Sequence, residues 1–268
     1  MSFRRPSTQR APEAHTSWNG VADWYKDHLK ERGDYQHGLI FPKTLGLLDP
    51  KTGGTYIDLA CGEGSFLERI GQKIKRGTLY GVDAAPKLVE QAKRRMSLLT
   101  SCKTILSVGD VSKKLEGLPL QTADGITCLL ALQNIEQVEG PLRVANSLLK
   151  PQGRLVFVIN HPCFRQPRQS GWGWDEQRKL QYRRIDRYKS NYDMPILAHP
   201  GSDPSISTPS YHRPLEVYLN ALSSAGFSLD RFEEWTSHKM STSGPRAKAE
   251  NVAREEIPLF LAIRAVKR

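Results

Sequence analysis

Apolar residues along the chain alternate between short, near-continuous runs and stretches in which they recur every three or four positions. TYIDLA at 55–60 is followed by helical spacing from Gly64 to about Lys75, and TLYGVDA by PKLVEQAKRRMSLL. KTILSVGD and ADGITCLLA come next, then helical spacing from about Gln137 to Leu149 and the strand GRLVFVIN. Strands separated by helices imply parallel pairing, so the pattern predicts an α/β fold built on a doubly wound, mostly parallel seven-stranded sheet. Right-handed crossovers then place a ligand beyond the carboxyl ends of the strands. Regularity fails between His161 and Tyr211, where Pro, Gly, Arg, Trp and Tyr abound and LQYRRIDRY is the one plausible strand pair. An irregular segment of that length in a compact domain is usually functional, and residues 161–211 are expected to form an inserted substrate lid. Order resumes with the helix HRPLEVYLNALSSAGF, stopped by Gly226, and ends in SLDRFEEWTS and IPLFLAIRAVK, which look like an antiparallel C-terminal hairpin. Upstream, WNGVADWYKDHLKERGDYQHGLIFPKTLGLL reads as helical segments broken at Gly33 and Pro42. Residues 1–17 read as a flexible tail and 18–268 as one domain.

Composition narrows the class without choosing the function. The 268 residues are 38% hydrophobic and 25% charged, and no apolar run approaches the ~20 residues that cross a bilayer. The basic N-terminus lacks an apolar segment behind it, so a cytoplasmic protein is expected, with no membrane partner. Four cysteines are too few for a disulfide scaffold, and no CxxC or His/Cys cluster points to a metal. The formal charge is +11, and His161–Ser190 alone carries eight Lys or Arg against three acids. Such an excess fits nucleic acid, an anionic small molecule or simply solubility, and charge alone does not choose among them.

The chemistry concentrates at three strand ends. Glycines at the Ala60–Gly64 bend let a ligand approach the backbone, and the helix that follows offers free N–H groups to negative charge. Asp83 closes the next strand 19 residues beyond Gly64, where a carboxylate can accept from both hydroxyls of a ribose. Asp110 and Val111, at the third strand end, are placed to read an adenine. A dinucleotide dehydrogenase would use similar parts. The acid Asp58, two residues before the bend, and Asp110 at the adenine position argue against one.

Asp58-Leu59-Ala60-Cys61-Gly62-Glu63-Gly64 resembles the first motif of the class I S-adenosylmethionine-dependent methyltransferases, with Ala60 in place of the usual first glycine. Asp83, Gly109-Asp110 and the turn Leu149-Lys150-Pro151-Gln152-Gly153 resemble the later motifs in order and spacing. The resemblance covers roughly residues 20–160 and the C-terminal strands. It implies a Rossmann-like fold, S-adenosyl-L-methionine as cofactor and in-line methyl transfer. By the same resemblance, Ala60, Cys61, Gly62 and Gly64 contact the methionine part, Asp58 orders that loop, Asp83 and Ala84 meet the ribose, and Asp110 and Val111 meet the adenine. Leu130 and the following Gln133 and Asn134 line the methyl side, at a place where many small-molecule members carry a histidine. The N-terminal helix closes over the cofactor in this family, which makes Trp24, Tyr25 and His37 candidates for its wall.

Substrate contact is expected from Gln133, Asn134, Trp172, Trp174, Tyr211 and His212. His161, at the end of a central strand, is the leading candidate for proton transfer, ahead of His212 and Glu136. Aromatic residues interleaved with arginines in the insert can stack a planar substrate or grip an anion. A small planar or anionic acceptor is therefore the first expectation. The alternatives are an RNA or protein methyltransferase and a non-catalytic cofactor-binding subunit, though no separate RNA-binding module is visible.

Overall fold

The computed structural model describes residues 35–197 and 207–268. A seven-stranded sheet runs in the order β10-β11-β5-β4-β1-β2-β3. Its strands are β1 (Thr55–Leu59), β2 (Thr78–Asp83), β3 (Lys103–Val108), β4 (Ala123–Leu129), β5 (Leu149–Asn160), β10 (Phe227–Trp235) and β11 (Phe260–Lys267). Strands β1 to β5 pair in parallel, and β11 inserts antiparallel between β5 and β10. Strand order reverses between β1 and β4, the switch point at which open α/β sheets bind ligands.

Helices cover both faces, as parallel strands require. They are α1 (Phe41–Leu48), α2 (Ser65–Ile74), α3 (Pro86–Met96), α4 (Glu139–Leu148), α5 (Leu215–Ser224) and α6 (Ala247–Glu256). Alternation along β5 sends Leu155, Phe157 and Ile159 into the core beneath α4 and α5, and Val156 and Val158 into the one beneath α1 and α2. In α2, Phe66, Leu67, Ile70 and Ile74 form the buried stripe. Full burial of one such side chain stabilises the fold by about 1.5–3 kcal/mol, so the α2 stripe fixes the helix start that borders the cleft.

Several elements differ from the sequence expectation. Pro42 does not break the first helix. A π-helical turn, Gln36–Ile40, runs directly into α1, with Pro42 in the first turn of α1. The insert is more regular than its composition implied. It holds two antiparallel pairs, β6 (Ser170–Asp175) with β7 (Leu180–Ile185), and β8 (Tyr192–Leu197) with β9 (Ser207–His212). Strands β10 and β11 pair as expected, but their connection carries α6. The tail 1–17 and Trp18, Trp24, Tyr25 and Gly33 lie outside the described residues.

Candidate active site

The bend after β1 takes backbone conformations that few residues adopt. Ala60, Gly62 and Gly64 have φ of 59°, 56° and 81°. Each plays a different part. A Cβ on Gly62 would meet nothing within 4 Å, so its backbone faces open space, whereas one on Gly64 would lie 3.1 Å from the Ala92 Cβ. Gly64 caps α2 and lets α3 approach, and it is not on the cleft wall. Ala60 accepts left-handed strain of about 1–2 kcal/mol that a glycine would avoid.

Asp83 holds this bend from the end of β2. Its two carboxylate oxygens accept the Gly62 and Ala85 N–H groups, both at 2.8 Å. On the far side of the bend, Arg95 of α3 donates to the Glu63 carbonyl at 3.2 Å and pairs with the Glu63 and Glu68 carboxylates, both at 3.0 Å. The glycine-rich loop is thus tied to β2 and to α3.

The carboxylates differ in environment. Asp58 is 3% exposed; burial pushes its pKa up to about 7, the Thr127 hydroxyl lowers it, and the Asp83 charge raises it further. Thr127 donates to it at 2.6 Å. Burial also raises Asp83, against the lowering effect of the backbone N–H groups that it accepts. Asp110 is more open. Burial acts to raise it, but hydrogen bonds from Ser112 and Lys113 outweigh that and leave it lowered. Burial, with the neighbouring Asp58 and Asp83 charges, holds the Cys61 thiol well above its usual range. Cys61 therefore stays protonated and is no nucleophile.

A cleft of about 680 Å³ opens over these groups at the carboxyl ends of β1, β2 and β4. It brings together Asp58, Ala60, Cys61, Gly62, Asp83, Ala84, Asp110, Val111, Leu130 and Asn134 from the sequence expectation. Glu136 also lies on its wall. Sequence reasoning missed Phe41, Phe66 and Leu88, whose apolar spacing marked them only as core-facing helix positions, and Arg143, which carries no motif. From the insert, Thr208 and Pro209 of β9 line the cleft.

The remaining expected substrate residues lie elsewhere. His161 is 1% exposed and fully engaged: Nδ1 accepts the Cys163 N–H at 3.2 Å, which leaves Nε2 to donate to Glu234 at 2.7 Å. Burial lowers its pKa, partly countered by Glu234. It borders a separate cavity of about 20 Å³ with Gln133, Tyr211 and His212 and does not line the cleft. His212 bonds the Tyr188 carbonyl at 2.8 Å and stacks on Tyr192. Gln133 turns back to the Leu130 carbonyl at 2.7 Å. Trp172 and Trp174 stand under Arg183 and Arg246, and neither belongs to the cleft wall. His37 packs on Phe41 next to the cleft without lining it.

The insert's cations stand apart from the cleft wall. None of the eight cations between His161 and Ser190 lines the cleft, whose described cations are Lys113 and Arg143. Lys113 pairs with Asp110 at 3.2 Å. Many insert cations are satisfied locally, among them Arg183 on the Phe164 carbonyl and Lys189 on Glu216. Among the described residues no helix is long and apolar enough to cross a membrane.

A Rossmann-like sheet whose carboxyl ends hold a glycine bend, a strand-end carboxylate and an adjoining cleft has the geometry of a nucleoside-cofactor site. Residues 50–183 match the family described as a methyltransferase domain, and the chain belongs to the class I S-adenosylmethionine-dependent methyltransferases. A crystal structure of an S-adenosylmethionine-dependent methyltransferase from Mesorhizobium loti superposes with a TM-score of 0.65 at 25% identity, covering 84% of this chain and 96% of the other. An uncharacterised protein of Haemophilus influenzae is 26% identical over 208 residues, 72% of this chain and 74% of its own length. A 2-phytyl-1,4-naphtoquinone methyltransferase of Trichormus variabilis is 28% identical over 129 residues, 47% of this chain and 55% of its own. The chain thus spans about half of that relative. S-adenosyl-L-methionine is the cofactor, and the site fits it: open space over the Gly62 backbone admits close approach, and the buried Asp58 and Asp83 carboxylates suit a cation.

Proposed function

We propose that the protein transfers a methyl group from S-adenosylmethionine to a small planar acceptor, held between the segment after β4 and strand β9. The observation that carries this reading is the cleft wall beyond the cofactor loop. Phe41, Leu130, Ile135 and Pro209 give it apolar faces, and Arg143 is the one described lining cation not paired with a lining acid. Apolar walls suit a ring system, whereas a polynucleotide would need a track of cations to its phosphates. The quinone-modifying relative supports the same class of acceptor, although its similarity covers less than half of this chain.

The cofactor supplies an electrophilic methyl group. The chain's own residues hold, orient and exclude. Asp83 fixes the Gly62 backbone and retains lone pairs for a ribose. Asp58 places a carboxylate beneath the loop, and Val111 packs beside the adenine position. Asn134 borders the methyl side, where its buried Oδ1 has no hydrogen-bond partner among the described residues. Holding the acceptor atom in line at about 3–3.5 Å supplies on the order of 7–11 kcal/mol. With His161 committed to Glu234, Glu136, a carboxylate side chain exposed on the cleft wall, is the proton acceptor for an acidic hydroxyl or enol.

The test is release of S-adenosylhomocysteine in the presence of reduced naphthoquinones and phenols, run beside bulk tRNA. Turnover on the small aromatics is expected. Methyl transfer to tRNA alone would overturn the acceptor class.

A further inference from the structure

The wall formed by residues 130–136 has little backbone scaffolding of its own. Leu130 sits at φ 55°, and a single 3-10 turn, Leu132–Asn134, follows. Within it, the Asn134 N–H donates to Ala131 and the Ile135 N–H to Leu132, while the Gln133 and Asn134 amides both fold back onto the Leu130 carbonyl. The carbonyls of Ile135 and Glu136 are instead held from outside. Arg213 donates Nη2 to both, at 2.6 Å for Ile135 and closer for Glu136.

Arg213 follows directly on β9, the strand whose Thr208 and Pro209 line the cleft. It is 7% exposed, its guanidinium lies over the Tyr211 ring at 5.2 Å, and no ion pair reaches it among the described residues. A buried cation without a counterion is costly. Here its charge serves two main-chain carbonyls of the cleft wall, and such charge-assisted bonds are stronger than neutral ones.

We propose that Arg213 is a positioning residue for the acceptor: it locks the Ile135–Glu136 backbone to β9, so that the segment after β4 and the insert's return strand form one rigid acceptor wall. The proposal rests on the methyl-transfer reading only for what the wall contacts. The mechanical link stands apart from that reading and can be measured without an acceptor.

The test is amide hydrogen exchange on the full chain, comparing wild type with Arg213→Met and Arg213→Lys, both free and saturated with S-adenosylhomocysteine. Loss of a charged hydrogen bond predicts exchange about tenfold faster or more across 131–137 in the methionine variant. The lysine variant, able to donate to one carbonyl at a time, should fall between, and added methylguanidinium should restore protection to the methionine variant. Peptides from β2 should be unchanged, and S-adenosylhomocysteine affinity should stay within about twofold. With an acceptor from the screen above, Arg213→Lys should raise the acceptor KM and leave the cofactor KM in place. Unchanged exchange at 131–137, or faster exchange spread equally into β2 with weakened cofactor binding, would overturn the proposal. If the methionine variant does not fold, the lysine variant decides by the same comparison. Failure of wild type to bind S-adenosylhomocysteine would sink the methyl-transfer reading, yet exchange in the free protein would still decide the role of Arg213.

Discussion

Replacing Asp83 with asparagine removes one charge and one acceptor while keeping the shape of the side chain. In the wild type, each oxygen takes one backbone N–H at 2.8 Å, from Gly62 and from Ala85. A hydrogen bond to an ionised group contributes about 1.5–3 kcal/mol. Asparagine keeps one accepting oxygen and sets its own amide donors against the second N–H, so one bond is lost and a buried donor is stranded. Burial already penalises the Asp83 charge, as its raised pKa shows, which offsets part of the loss. A net cost of about 2 kcal/mol remains. For a chain of this size that lowers Tm by roughly 4–8 °C. The stranded N–H is the bend's own at Gly62 or the helix's at Ala85, so cofactor affinity should fall by about tenfold, equal to ~1.4 kcal/mol. Thermal unfolding and calorimetric titration with S-adenosylhomocysteine read both effects. A variant that melts within about 1 °C of wild type and binds equally well would refute the view that Asp83 holds the glycine bend.

Three further predictions follow from the same geometry. Ala60→Gly relieves left-handed strain at φ 59° and should stabilise the fold by about 0.5–1 kcal/mol after glycine's greater chain entropy is counted, read as a higher denaturation midpoint. Because the native state holds the Asp58 proton to about pH 7, while an unfolded aspartate releases it near pH 3.9, wild-type stability should decline across that window and level off above it. Asp58→Asn should abolish this decline, worth at most about 3 kcal/mol between denaturation curves taken at pH 5 and pH 8. His161→Ala breaks the Glu234 and Cys163 bonds and should cost about 1–3 kcal/mol of stability while leaving cofactor affinity unchanged; a loss of affinity with intact stability would return His161 to the cleft.

The parts of the structure legible in the sequence are those in which one local rule dominates. Near-continuous apolar runs gave β1, β2, β4 and β5, and the positive-φ bend announced itself through Gly62 and Gly64. Strands β8 and β9 were hidden because they place Pro195 opposite Pro209, a pairing tolerated only in short, edge-like ladders. Gly171 and Gly173 masked β6 in the same way. Helix α6 escaped notice because Ala253 is its only residue buried outright, too little for an apolar stripe. At the site, strand-end position placed Asp58, Asp83 and Asp110 correctly on the cleft. The same argument did not anticipate where His161 lies, since a partner 73 residues away, Glu234, decides where its ring bonds. Charge misled for a related reason: the insert's arginines are numerous in the sequence, but none of those between His161 and Ser190 lines the cleft, and Arg183 and Arg184 are held by the Phe164 carbonyl and the Asp186 carboxylate.

The most direct test of the account is calorimetric titration of the full chain with S-adenosylmethionine and, in parallel, with NADH. The account predicts saturable binding of S-adenosylmethionine, competed by S-adenosylhomocysteine and weakened in Asp83→Asn, with no binding of NADH. Binding of NADH in its place, or S-adenosylmethionine affinity indifferent to Asp83, would contradict it.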